Sequence, residues 1–120
     1  MNTYTMTPSE TKFAELIWSN EPLTSAELIK LSADEMTWKK STTFTVLKKL
    51  CEKEIFKNEN SVVSSIIDRE QYYSAHSRRY VEDAFDGSLP KFLAAFTHEK
   101  KLNKSQIDEL KKLIDAYEED

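Results

Sequence analysis

The chain has 120 residues, with 17 Lys and Arg against 21 Asp and Glu and a formal net charge of −4. That length fits one small domain, or one with an appendage, and leaves little chain for the deep pocket of most enzyme folds. One glycine, one cysteine and no long apolar stretch argue against a phosphate-cradling loop, an intramolecular disulfide, a cysteine metal site and a membrane-spanning helix.

The opening residues Met1-Asn2-Thr3-Tyr4-Thr5 lack a basic region followed by an apolar run, so no export signal and a reduced cytoplasmic compartment are expected. Thr7-Pro8-Ser9-Glu10 reads as a capping box with proline at the first helical position. Phe13, Leu16 and Ile17 follow at helical spacing with Trp18 beside them, and Asn20-Glu21-Pro22 ends the helix. Thr24-Ser25-Ala26-Glu27 repeats the box and opens a short second helix with Leu28, Ile29 and Leu31 on its apolar face. The polar residues 32–37 break that pattern. A third helix is predicted from about residue 40 to residue 52. Its inward stripe is Thr43, Val46 or Leu47, and Leu50; its other face carries Ser41, Thr42, Phe44, Thr45, Lys48 and Lys49.

Ile55-Phe56 and residues 61–67 are rich in strand-forming types, and Gln71-Tyr72-Tyr73-Ser74 reads as the return strand. Asp68-Arg69-Glu70 is then the hairpin turn, and without glycine a tight two-residue turn is not expected there. Helical spacing resumes with Tyr80, Val81, Ala84 and Phe85, and Gly87 in Asp86-Gly87-Ser88 suits a left-handed helix end. Ser88 caps a helix bearing Leu89, Phe92, Leu93 and Phe96. Asn103-Lys104-Ser105-Gln106 caps the last helix, with Ile107, Leu110, Ile114 and Tyr117 as its stripe.

Three helices followed by a hairpin is the winged-helix order. The expected fold is mainly α with a small β-hairpin wing: a winged helix-turn-helix DNA-binding domain over 1–75 and a helical dimerisation region over 76–120. The last 45 residues look too thin to hold their own core, so their apolar stripes need a partner surface. Phe92, Leu93, Phe96, Ile107, Leu110, Ile114 and Tyr117 are the candidate dimerisation residues.

The charge is unevenly placed. Residues 37–57 hold six lysines against Glu52 and Glu54, a net +4, so the remainder of the chain carries −8. The basic segment coincides with the third helix. Lys39, Lys40, Lys48 and Lys49 can neutralise phosphates there, while Ser41, Thr42, Phe44 and Thr45 can reach base edges. Arg69, in the expected hairpin turn, joins this DNA-contacting set. The plainer reading is a solvated helix face with lysines outward. Cys51 is either a thiol activated by neighbouring lysines or a residue packed beneath the wing. His76 and His98 stand 22 residues apart without ligand company, and no nucleophile–base pair stands out, so no metal, cofactor or catalytic residue is assigned.

The run Trp38-Lys39-Lys40-Ser41-Thr42-Thr43-Phe44-Thr45-Val46-Leu47-Lys48-Lys49-Leu50 resembles the recognition helix of the penicillinase repressor family, with its Trp, a Thr four residues on, and a Leu-centred helix ending in basic residues. Glu15-Leu16-Ile17-Trp18 is similar to that family's first helix, and Pro22-Leu23-Thr24-Ser25-Ala26-Glu27-Leu28 to its second. Gln71-Tyr72-Tyr73-Ser74 resembles the last wing strand, and the segments from Gly87-Ser88-Leu89 to Phe96 and from Leu102 to Leu113 resemble the dimerisation region. The resemblance implies a homodimeric repressor whose third helix reads the major groove of a palindromic double-stranded operator. The groove face carried over is Ser41, Thr42, Phe44, Thr45 and Lys48. Phe44 departs from the family, in which a basic residue is frequent; it either meets a thymine methyl or turns inward. Glu54 departs where a glycine usually ends the helix, and a wing over 54–74 is longer than usual.

Copper-responsive members of that family carry a cysteine-rich C-terminal motif, which this chain lacks. In β-lactam-responsive members a membrane-bound sensor-protease pathway triggers cleavage in the dimerisation region, and Ala95-Phe96 aligns with that bond. The plainer reading is that Phe96 is a core aromatic on the dimerisation helix. The competing function is a winged-helix protein-interaction module without specific DNA binding.

Overall fold

The computed structural model describes residues 5–117. The N-terminal stretch read as lacking an export signal lies outside the described residues except for Thr5. Contacts divide the chain into two compact units, one ending at Arg78 and the other beginning at Arg79.

In the first unit, α1 (Pro8–Asn20), β1 (Leu23–Thr24), α2 (Ser25–Met36), α3 (Lys40–Glu52), β2 (Phe56–Glu59) and β3 (Val62–Ser65) follow in order, and α4 (Arg69–Phe85) begins here. Both expected capping boxes form. Thr7 Oγ1 accepts from the Glu10 N–H at 3.2 Å, and Thr24 Oγ1 accepts from the Glu27 N–H at 3.1 Å. α2 does not stop at its polar stretch but continues to Met36, because Ser32 is fully buried and carries the inward face a further turn. It ends at Thr37, whose φ of 55° gives a left-handed cap. The core joins Phe13, Ile17 and Trp18 of α1, Leu28 of α2, Leu47 and Leu50 of α3, and Ile55, Phe56 and Val63 around the sheet.

The hairpin differs from expectation. The sheet has the order β1-β3-β2, all antiparallel, with Leu23 opposite Val63 and Glu59 opposite Val62. The wing is therefore β2 and β3 joined by the two-residue turn Asn60-Ser61, with φ of 52° and 60°. Two consecutive left-handed residues are what a tight hairpin with right-handed strand twist requires, and asparagine tolerates this better than most residues. The segment Asp68-Arg69-Glu70 is not a turn between strands, and Gln71-Tyr72-Tyr73-Ser74 is helical, inside α4. Asp68 and Gln71 form a reciprocal cap: Asp68 Oδ1 accepts from the Gln71 N–H at 2.8 Å and Gln71 Oε1 from the Asp68 N–H at 2.9 Å. The aromatic run then serves helix packing, with Tyr72 buried 5.6 Å from Trp18 between ring centroids.

In the second unit, the rest of α4 is followed by α5 (Leu89–Phe96) and α6 (Lys104–Asp115). Gly87 takes φ +76° between α4 and α5, as a left-handed helix end demands. Ser88 and Asn103 cap the two helices as their sequences foretell. Tyr80, Phe85, Phe92 and Phe96 form a chain of ring contacts 5.6–6.1 Å apart. No residue of α5 or α6 is buried. An open groove of about 490 Å³ runs between these helices, lined by Phe92, Leu93, Phe96, Leu102, Leu110 and Leu113 among others. Among the described residues, no helix is long and apolar enough to cross a membrane.

Candidate nucleic-acid interface

The outward face of α3 is set by what its other face buries. Thr43, Leu47 and Leu50 are 0%, 3% and 0% exposed, and Val46 is half-buried against the same core. This fixes the helix rotation. Ser41, Thr42, Phe44, Thr45, Lys48 and Lys49 all fall in the exposed class on the opposite side. Phe44, for which an inward and an outward placement were both open, is 39% exposed.

Hydrogen bonding shapes what this face presents. Thr45 Oγ1 donates to the Ser41 carbonyl one turn back at 2.9 Å, which commits its proton and leaves the hydroxyl oxygen able only to accept. Lys39, the residue before α3, makes no side-chain cap. The six lysines divide by their partners. Lys53 Nζ bonds the Glu10 carboxylate at 3.0 Å and the Thr5 carbonyl at 2.7 Å, and Lys57 pairs with Glu59 at 3.0 Å. Lys39, Lys40, Lys48 and Lys49 make no ion pair among the described residues. The cationic surface is therefore α3 and the residue before it, while the wing holds a neutralised pair.

The scaffold behind this face is tied by polar contacts that sequence reasoning missed. Glu21 accepts from the Ser65 backbone N–H at 2.7 Å and from its hydroxyl at 2.8 Å. Trp18 Nε1 donates to the Ile67 carbonyl at 3.1 Å. The Ser25 N–H donates to the Ser61 carbonyl at 2.9 Å, which ties the wing turn to the start of α2. Arg69 lies at the start of α4 rather than on a hairpin turn. Its guanidinium bonds the Glu15 carboxylate at 2.9 Å and the Ser19 hydroxyl at 2.8 Å, and Tyr73 donates to Glu15 at 3.0 Å. These groups clamp α4 to α1. The long-range pairs have no local signature, but Asp68-x-x-Gln71 does, and it marks the start of α4.

Cys51 packs against the core, half-buried, and burial pushes its thiol pKa up, opposite to the shift an activated thiol needs. His76 stacks on Tyr72 at 5.6 Å. Among the described residues no cluster of His, Cys, Asp and Glu is arranged to hold a metal ion. Ala95 and Phe96 are both exposed in the last turn of α5. Phe92, Leu93 and Leu110 are half-buried, while Phe96, Ile107, Ile114 and Tyr117 are exposed.

The sequence pattern of the penicillinase repressor family matches residues 6–116. The penicillinase repressor of Bacillus licheniformis is 22% identical over 113 residues, which cover 91% of this chain and 88% of that protein.

Proposed function

We propose, from the premise that this chain belongs to the penicillinase repressor family, that it is a homodimeric cytoplasmic repressor reading a palindromic operator through α3. It acts as a DNA-binding regulator and not as a catalyst. The observation that carries this reading is the outward face of α3 with the residue before it, where four lysines that make no ion pair among the described residues flank exposed hydroxyls and one aromatic ring. Lysines so placed suit phosphate contacts, and Ser41, Thr42 and Thr45 suit base edges. The acidic remainder of the chain limits non-specific attraction to the duplex. Two copies are needed because one helix reads only a few base pairs, and two-fold symmetry places half-sites about one helical turn or a multiple apart.

Binding to the DNA upstream of its own gene tests the proposal. A dimer holding 6–10 phosphates loses about 10³–10⁵-fold in affinity between 50 and 200 mM salt. Lys48→Ala should weaken binding to every sequence, whereas Thr45→Ala should relax the preference at one operator position. A winged-helix protein-interaction module would instead show no sequence-specific binding and no dependence on either residue.

Relief of repression by cutting the Ala95–Phe96 bond forms the inducible part of the proposal. It is supported by the exposure of both side chains at the end of a helix, where fraying admits a protease. Full derepression through a membrane-bound sensor with the chain still intact would remove this part alone.

A further inference from the structure

The side chains of α3 restrict how it can read bases. Between Lys39 and Lys53 there is no Arg, Asn or Gln, so the amide pairing with adenine is absent and guanine N7 and O6 can be addressed only by lysine. The outward face offers hydroxyls, ammonium groups and one large apolar feature, the Phe44 ring. The Phe44 ring cannot turn into the core, because Thr43 and Leu47 already fill the inward face. Lys40 lies one turn before it and Lys48 one turn after, and neither is ion-paired among the described residues. An exposed ring flanked by two cations matches a surface that is anionic overall and carries isolated apolar groups. The major groove fits this description, with rows of phosphate beside thymine C5-methyls. An apolar protein pocket would leave both ammonium groups desolvated without partners.

We infer that Phe44 is a specificity-determining residue that reads the C5-methyl of one thymine in each operator half-site. The inference rests on the proposed DNA-binding reading of α3 and names a base that the site selects. Thymine differs from uracil by that methyl alone, so the contact can be removed from the DNA without disturbing base pairing.

The probe is a duplex selected by the full-length chain from a random library, then resynthesised with deoxyuridine in place of one thymine at a time. Affinities are measured by fluorescence anisotropy at one fixed salt concentration. Burial of one methyl-sized group corresponds to about fourfold in affinity per half-site, so substituting the symmetry-related pair costs about 15-fold. Phe44→Ala, an exposed substitution whose folding is checked by thermal melting, should bind more weakly and treat thymine and deoxyuridine alike at that position. Indifference of the unmodified protein to every deoxyuridine overturns the inference. So does unchanged sensitivity in Phe44→Ala, which would place the methyl against another residue, and so does wild-type affinity of Phe44→Ala, which would assign the ring to a protein partner. If selection yields no preferred duplex, the DNA-binding reading itself fails, an outcome distinct from these.

Discussion

The Glu10 carboxylate serves a helix start and a long-range contact at once. It accepts from the Thr7 backbone N–H at 3.0 Å, completing the α1 capping box, and from Lys53 Nζ at 3.0 Å just past the end of α3. Burial opposes its charged form, but the Thr7 hydrogen bond, the Lys53 bond and charge, and the charge of Lys49 outweigh it and hold its pKa below the ordinary value of 4.5. A depressed folded-state pKa contributes stability that is complete above 4.5 and is lost as pH falls through the lower folded value. Glu10→Gln keeps the capping-box acceptor but removes the charge facing Lys53, so it should cost about 1–2 kcal/mol near neutral pH, as expected for hydrogen bonds to a charged group. The gap between variant and parent should narrow as pH falls below 4.5 and close once pH is below the lowered folded value. Urea titrations at several pH values measure this, and a gap that stays constant into acid would assign the loss to packing instead of charge. Lys53 also shows why the count of lysines in the sequence overstates the cationic surface. Its charge is used inside the fold, and nothing in the local sequence shows Glu10 waiting 43 residues away.

Among the secondary-structure elements, most helix starts and the presence of a hairpin wing are legible, whereas the hairpin's turn and the start of α4 are misread. Thr7, Thr24, Ser88 and Asn103 each declare a helix within four residues, because capping is local chemistry. The inward stripe of α3 was likewise readable from its period, so the candidate face followed from it. The wing was misread because Tyr72-Tyr73 has strand-like composition, while the decision to place them in α4 belongs to Trp18 and Glu15 on another helix. The true turn was hidden for a different reason. A two-residue hairpin usually advertises itself with glycine, and here Asn60-Ser61 adopts the left-handed geometry without one. Ser61, a non-glycine residue at φ 60°, bears a steric cost of about 1 kcal/mol. Ser61→Gly makes the favoured Asn-Gly pair and should raise stability by about 0.5–1 kcal/mol, less what the unfolded chain gains in freedom. Its carbonyl still accepts from Ser25, so the wing stays attached to α2. Denaturant unfolding measures the gain, and a loss of stability would mean that the Ser61 side chain contributes more than its backbone strain.

For the whole molecule, the question is what the second unit lacks. Its helices are well capped and strongly amphipathic, yet no residue of α5 or α6 is fully buried: Phe96, Leu113 and Ile114 are 54%, 67% and 64% exposed, and Tyr117 just past α6 is 81% exposed. A capped helix with an unburied apolar stripe is locally consistent and globally incomplete, since most helix stability in proteins comes from packing that stripe. Aromatic contacts from Tyr80 to Phe96 give the unit some internal order but leave its outer apolar face in water. A second copy of the same face would remove that surface from water at roughly 25 cal/mol per Å², and the two-fold symmetry of such a pairing is the symmetry a palindromic operator requires. Changing Leu110 and Ile114 together to Asp should yield a monomer in sedimentation equilibrium at concentrations where the parent is dimeric. Coupling two half-site contacts multiplies affinity by about 10²–10⁴, so the same variant should lose at least about 100-fold for a full operator. Its affinity for an isolated half-site should stay near that of the parent, because α3 is untouched. Equal losses on full and half operators would place Leu110 and Ile114 in the stability of the fold. A parent chain that stays monomeric at every concentration would mean that the exposed stripe meets a different protein, and that each copy binds its half-site alone.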